Sequence, residues 1–325
     1  MMEVLMLCLA GLVFDGGPRM NQIQVVGTHN SYHKRSPGLE VAAMVTPEAR
    51  DWDYEHKPLD AQLDNGVRSF ELDIHRTPEG WRVFHVPFVD EQSTCRMFAD
   101  CLAVVRAWSD AHPGHVPISF LVEHKDEGPV LDPAITMPTA ADLDRLDAEV
   151  RAAFPPERLI TPDDVRGDFA TLEEAVLKRG WPTLESARGK VFFIFHETRD
   201  LRDLYAEGRP SLQGRAMFVN SSPGRPDAAA MVRDNPADPE TPDLVRQGYW
   251  VRATAGGPGK RGLEEANARL ERAFACGAQI VSTDYPPGEP HEATGFVVTL
   301  PGGGPARWNP VNPPTDTTAP PEPAH

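Results

Sequence analysis

The chain of 325 residues is poor in cysteine and in positive charge, and past its first residues it has no long apolar run. Each scarcity removes a class of protein. Cys8, Cys95, Cys101 and Cys276 are too few and too scattered for a disulfide-built miniprotein, and no Cys-x-x-Cys pair marks a zinc module. Cys95 and Cys101 alone stand close enough to pair, either as a small disulfide loop in an oxidising compartment or as neighbouring thiols in a reducing one. Lys and Arg total 32 against 48 Asp and Glu, a net charge of −16. That balance denies the chain the phosphate-neutralising face of a nucleic-acid binder and the polybasic anchor of a membrane-surface protein. No stretch of the body approaches the roughly 20 apolar residues of a spanning helix.

Proline is abundant instead, with 33 residues, about twice the usual share of roughly 5%, and it predicts long ordered loops. Hydrophobic residues at 40% and charged residues at 25% exclude wholesale disorder and leave enough apolar surface for a core. The length suits two domains or one α/β barrel with loops and tails.

Both chain ends read as appendages. Residues 1–20 contain an apolar run from Val4 to Phe14, the core of a degenerate leader with Glu3 where a basic residue is usual and no small-x-small site before Asp15. This reading puts the protein outside the cytoplasm, although Met20 is an alternative start. Residues 301–325 hold eight prolines and three consecutive glycines, which predicts a disordered tail.

Between them, short apolar runs alternate with helical stretches. Strands are expected at 22–28, 67–75, 81–86, 116–124, 190–196, 216–220, 249–254 and 279–284, and helices at 58–65, 98–110, 140–154, 172–179, 201–206, 228–234 and 263–276. Eight strands among helices predict a (β/α)8 barrel whose reactive residues gather at the strands' carboxyl ends. The turn Thr77-Pro78-Glu79-Gly80 is too short for a parallel crossover, so the expected fold is an irregular TIM-type barrel in one domain, 21–300. Residues 125–190 exceed one barrel unit and read as an elaborated loop.

Four early strands end in reactive side chains. Gly27-Thr28-His29-Asn30-Ser31-Tyr32 leaves the first strand, where a lone histidine would usually be a cap or a core-edge residue. In Phe70-Glu71-Leu72-Asp73-Ile74-His75 alternation puts the apolar residues on one face and the polar ones on the other. On an edge strand that polar face is merely wet. In a barrel Glu71 and Asp73 point inward, where unpaired charge is costly, and they require Arg, Lys or a hard metal ion nearby. Trp81-Arg82-Val83-Phe84-His85-Val86-Pro87 ends near His85, and Ile118 to Lys125 brings Glu123 to a strand end. The strand-end positions of Lys125 and Arg252 suit a substrate phosphate or ring hydroxyl, and Tyr285 suits either a sugar ring or the core edge.

The ordered set Gly-Thr-His-Asn-Ser-Tyr, Glu-Leu-Asp, Phe-His-Val and Val-Glu-His within residues 27–124 resembles the calcium-dependent phosphoinositide-specific phospholipases C, in their bacterial branch. The resemblance implies that His29 and His85 are the catalytic pair and that Asn30, Glu71, Asp73 and Glu123 hold one calcium ion. It implies attack by an inositol hydroxyl on the adjacent phosphodiester, releasing diacylglycerol and a cyclic inositol phosphate. His85 would protonate the departing glycerol oxygen, and His29 would stabilise the phosphoryl group or assist deprotonation, with Glu71 a further base. Arg252 resembles an inositol-contacting arginine of that family. Metal-independent bacterial relatives place Asp after the first histidine and Arg near the Glu-x-Asp pair, so Asn30 and Glu71 fit the metal version. Expected partners are a phospholipid or other phosphodiester substrate and a membrane surface, touched through an apolar rim around Pro87-Phe88-Val89, with the protein a secreted monomer. His75 reads as a packing or supporting residue.

Two rivals remain. Glycerophosphodiester phosphodiesterases share the barrel, the Glu-x-Asp pair and two histidines, but carry Arg where Asn30 follows His29. A non-catalytic calcium- or headgroup-binding barrel would have lost at least one of the reactive residues, all of which are present. A zinc hydrolase fits less well, because the ligand set is oxygen-rich.

Overall fold

In the computed structural model, which describes residues 16–39, 43–44, 47–125 and 128–322, eight parallel strands form the barrel. They are β1 (Ile23–Thr28), β2 (Ser69–Thr77), β4 (Ile118–His124), β5 (Val191–Phe195), β6 (Phe218–Val219), β7 (Ala230–Val232), β8 (Trp250–Thr254) and β9 (Ile280–Thr283). The order β6-β5-β4-β2-β1-β9-β8-β7 closes through a single bridge between Asn220 and Ala230. β3 (Gly80–Val83) runs antiparallel to β2, so the short Thr77–Gly80 turn makes a hairpin as expected. The expected strand 81–86 therefore lies outside the barrel wall.

The eighth wall strand is β7, where the sequence suggested a helix at 228–234. The run Ala228-Ala229-Ala230-Met231 is buried throughout, and a short run buried on every side carries no periodicity to tell strand from helix. Residues 125–190 are more ordered than a loop: the helices Gly128–Leu131, Ala140–Ala153, Pro162–Arg166, Leu172–Lys178 and Leu184–Ala187 all lie between β4 and β5. Thr139 and Thr171 cap two of them. Thr139 makes a full reciprocal box with Asp142, whereas the Glu174 carboxylate accepts from the Ala170 backbone.

Alternation in β2 sets the site. Phe70, Leu72 and Ile74 pack into the main core, each contributing about 1.5–3 kcal/mol of burial, and Glu71, Asp73 and His75 take the opposite face. β1 must approach both neighbours closely: a Cβ on Gly27 would lie 2.9 Å from both Ile280 Cγ2 and Ser69 Cβ. Only glycine fits there.

The terminal readings need correction. Residues 1–15 of the expected leader lie outside the described residues, but Met20 is fully buried and Pro18 accepts a hydrogen bond from Leu184 N, so 18–20 already belongs to the body. The expected disordered tail folds: β10 (Ala306–Trp308) pairs antiparallel with β1, and Glu322 is 2% exposed. Its carboxylate meets buried Arg68, with Nη2 to Oε1 at 2.5 Å and Nε to Oε2 at 3.1 Å, and also accepts from Val116 N. Composition signalled loss of core-forming residues; a strand pairing and a buried ion pair tie the segment to the body instead. Cys95 and Cys101 form a disulfide, and Cys276 is a buried thiol.

Candidate active site

The chain leaves β1 in a sharp turn that Asn30 makes possible, at φ +43°, a region Asn tolerates better than most residues. Ser31 staples the turn to β2: its N–H donates to Glu71 O, and its Oγ accepts from Glu71 N at 2.7 Å. His29 is thereby held at the rim between two acids. Its Nδ1 lies 2.8 Å from Asp284 Oδ1 and its Nε2 3.6 Å from Glu71 Oε1. Burial opposes charge on the imidazole, but Glu71 and the Asp284 hydrogen bond outweigh it and raise the pKa to about 9. Burial likewise opposes ionisation of Asp284, and the hydrogen bond from His29 more than offsets it, leaving that carboxyl below its usual range.

Parallel register pairs Asp73 of β2 with Glu123 of β4, and Glu71 sits two residues back on the same face. Glu71, Asp73 and Glu123 can each place an oxygen within 4.8 Å of the other two. Lys125 and Arg252 reach into this group, which the His29 and His196 imidazoles flank at Glu71 and Glu123. Lys125 Nζ lies 3.1 Å from Asp73 Oδ2 and 3.0 Å from Glu123 Oε1. Arg252 Nη2 lies 2.5 Å from Glu71 Oε2, while Nη1 pairs with Asp234 and Nη2 also reaches Ser282 Oγ. Asp73 is fully buried, and desolvation raises its pKa in spite of Lys125. Its Oδ2 also accepts from Tyr32 Oη at 2.8 Å.

The donor set suits a hard cation. The buried acceptors Asn30 Oδ1 and Asp73 Oδ1 have no donor, which is costly unless a ligand completes them, and three carboxylates with one amide oxygen are calcium-type ligands. The carboxylates placed to share a metal here are those of Glu71, Asp73 and Glu123.

His85 arrives on the return of the β2–β3 hairpin, in a tight turn closed by Val86 N to Asp90 O and Asp90 N to Val86 O. Its Nδ1 lies 3.0 Å from Asp90 Oδ2, which leaves Nε2 for a ligand. The same Asp90 oxygen meets His33 Nε2 at 2.8 Å, and Ser36 Oγ donates to Asp90 Oδ1. The Asp90 carboxyl is depressed well below its usual range, burial being outweighed by these hydrogen bonds.

A cleft of about 790 Å³ is lined by His29, Glu71, Glu123, Lys125, Arg252 and Tyr285 among others. Asn30, Asp73 and His85 lie outside its lining, Asp73 being in contact with the Lys125 ammonium. Tyr285 is half-buried and packs so closely on Gly257 that no side chain fits there. His75 is a packing residue as expected: it stacks on Phe84 with ring centroids 3.9 Å apart, and burial lowers its pKa to about 4.

Sequence reasoning did not select Asp284, Asp90, His33, His196 or Asp234. Asp284 follows β9 and the strand-end rule reaches it; His196 follows β5 in the same way and lies 3.5 Å from Glu123. Asp90 sits in a loop and meets His33 across 57 residues, with no local signal.

The signature of the family described as phosphoinositide phospholipase C, Ca2+-dependent, matches residues 18–82 and 76–310. Among solved structures the chain is similar to a Ca2+-dependent phosphatidylinositol-specific phospholipase C from Streptomyces antibioticus, at 24% identity and TM-score 0.58, over 82% of this chain and 95% of that one. It is also similar to a calcium-dependent phosphoinositol-specific phospholipase C from the Gram-negative bacterium Pseudomonas sp., at 19% identity and TM-score 0.61, over 90% and 96% of the two chains. No curated protein matches. With nearly the whole described body inside the signature, the chain belongs to the calcium-dependent phosphoinositide phospholipase C family.

Proposed function

We propose that this cleft cleaves the phosphodiester of phosphatidylinositol-type lipids, with His29 and His85 as the catalytic pair and Asn30, Glu71, Asp73 and Glu123 as the ligands of one calcium ion. The observation that carries the reading is the convergence of three carboxylates beside His29, with buried acceptors on Asn30 and Asp73 left open. Calcium, when bound, supplies charge that lowers the pKa of the attacking hydroxyl and neutralises phosphoryl oxygens.

The chain's own residues do the rest. His29, hydrogen-bonded to Asp284 through Nδ1 and facing Glu71 through Nε2, is assigned to stabilise the phosphoryl group. Glu71 is the adjacent carboxylate and takes the proton of the attacking ring hydroxyl. As the new P–O bond closes the cyclic phosphate, the bond from phosphorus to the glycerol oxygen breaks. His85 Nε2 delivers a proton to that oxygen and diacylglycerol departs. Asp90 at Nδ1 fixes the imidazole and supports its cation, as the acid of a catalytic triad does. Arg252 and Tyr285 face the cleft and are assigned to the ring and its phosphate.

A membrane surface is the further partner. Met44, Phe88 and Val130 are 83%, 73% and 84% exposed, in the segments that follow β1, β3 and β4. A chain of net charge −16 is repelled by anionic lipid, so apolar insertion is the favoured contact. Secretion and a monomeric state complete the proposal.

The test is hydrolysis of phosphatidylinositol with and without a calcium chelator, beside His29→Ala and His85→Ala. Nearly complete loss is expected in all three; chelator-insensitive turnover or active histidine variants overturn the mechanism. Glycerophosphoinositol and glycerophosphocholine, run in parallel, expose a glycerophosphodiesterase.

A further inference from the structure

We propose that the Lys125 ammonium is a tethered placeholder in the metal cluster, holding Asp73 and Glu123 together without calcium and displaced when calcium binds. The inference rests on the calcium reading of that cluster. Its starting point is position: Nζ touches one oxygen of each carboxylate at hydrogen-bond distance, 3.1 Å and 3.0 Å.

Electrostatics gives the reason. Glu71, Asp73 and Glu123 bring three negative charges to oxygens within 4.8 Å of one another, and Asp73 and Glu71 are buried. Such a cluster is costly without cations. Arg252 neutralises the Glu71 side and is anchored from behind by Asp234 and Ser282. On the Asp73–Glu123 side His196 flanks Glu123 at 3.5 Å, and the group that bridges both carboxylates is Lys125, a point charge on a flexible four-carbon stem.

Calcium needs oxygens of the same two carboxylates at roughly 2.3–2.6 Å, and Asp73 still has its Oδ1 open beside the lysine-bound Oδ2. An ammonium already bonded to Asp73 Oδ2 and Glu123 Oε1 occupies those lone pairs and repels a dication at short range. Calcium therefore binds by exchange, and part of its binding free energy is spent releasing the lysine. Lys125 also lines the cleft, so the released ammonium stays where a substrate phosphate enters. The expected consequence is affinity toward the weak end of protein calcium sites, with roughly 10⁻⁴–10⁻³ M dissociation constants, because ligand charge count sets that scale.

The experiment is calorimetric titration of calcium into the full chain and into Lys125→Met, which keeps length and removes charge. The variant is expected to bind calcium about tenfold tighter or more, to melt at lower temperature than wild type without calcium, and to recover with it. Equal or weaker binding by the variant, while wild type binds, overturns the placeholder and leaves the calcium reading standing. Absence of calcium binding by both proteins overturns both. Should Lys125→Met fail to fold, wild type alone decides: acetylation of Lys125 by acetic anhydride, followed by mass spectrometry, rises several-fold with saturating calcium if the ammonium is released, and an unchanged or slower rate overturns the proposal.

Discussion

His29 Nδ1 and Asp284 Oδ1 lie 2.8 Å apart across 255 residues of chain, joining the exit of β1 to the exit of β9. The acid fixes the ring's orientation and, with Glu71, keeps it charged. Asp284→Asn keeps the shape and removes the charge. Turnover is expected to fall by roughly 10²–10⁴-fold with little change in KM, and the pKa of the His29 ring, followed by NMR, is expected to drop toward its ordinary value. A variant retaining wild-type turnover would show that Asp284 does not serve His29.

Arg68 and Glu322 are 1% and 2% exposed, and they meet beside the start of β2. Removing one partner strands a buried charge. Glu322→Ala is expected to destabilise the fold by about 3–5 kcal/mol, and the double change Arg68→Met, Glu322→Leu by less, since both charges leave together. Urea unfolding of the three proteins checks the order; equal stability of wild type and Glu322→Ala would refute it.

These cases mark what the sequence discloses. The period of two in Phe70 to His75 disclosed which β2 residues face the chemistry, because a strand alternates regardless of context. The rule that barrel enzymes react at strand ends reached His29, Glu123 and Arg252, and on the same ground extends to Asp284. Register is another matter: nothing local to β2 or β4 says that Asp73 pairs with Glu123, and without that pairing the Lys125 contact is invisible. Partners distant in sequence were missed for the same reason, as with Asp90 to His33 and Arg68 to Glu322. Ala228 to Val232 was misread because burial on all sides erases the amphipathic period on which the helix-or-strand decision depends.

A buried neutral histidine gives a pH prediction away from the site. His115 Nδ1 donates to Val116 O, and its Nε2 accepts from Ser109 Oγ, which in turn accepts from Arg158. Burial, the largest cause, lowers its pKa from 6.5 to about 4. Between those values the unfolded chain binds the proton and the folded one does not, so stability falls as pH drops through the window. The loss approaches about 3 kcal/mol by pH 4. Comparing unfolding free energies of wild type and His115→Gln from pH 7 to 4 isolates it: the variant is expected to show a shallower decline, and parallel curves would rule the histidine out.

Phe88 and Val130 separate membrane attachment from chemistry. Phe88 sits in the His85–Asp90 turn at φ +63°, yet its side chain is 73% exposed and fills no core position. Val130, on the short helix after β4, is similarly open. Leaving two such side chains in water has no folding advantage, whereas inserting them into lipid gains about 1.5–3 kcal/mol each. Phe88→Ser with Val130→Ser is expected to weaken binding to neutral phosphatidylcholine vesicles by roughly tenfold or more. Hydrolysis of a water-soluble inositol phosphodiester should be unchanged, because both side chains point into solvent and neither meets an assigned site residue. Undiminished vesicle binding would place the membrane contact elsewhere, and lost soluble activity would assign these residues to the site itself.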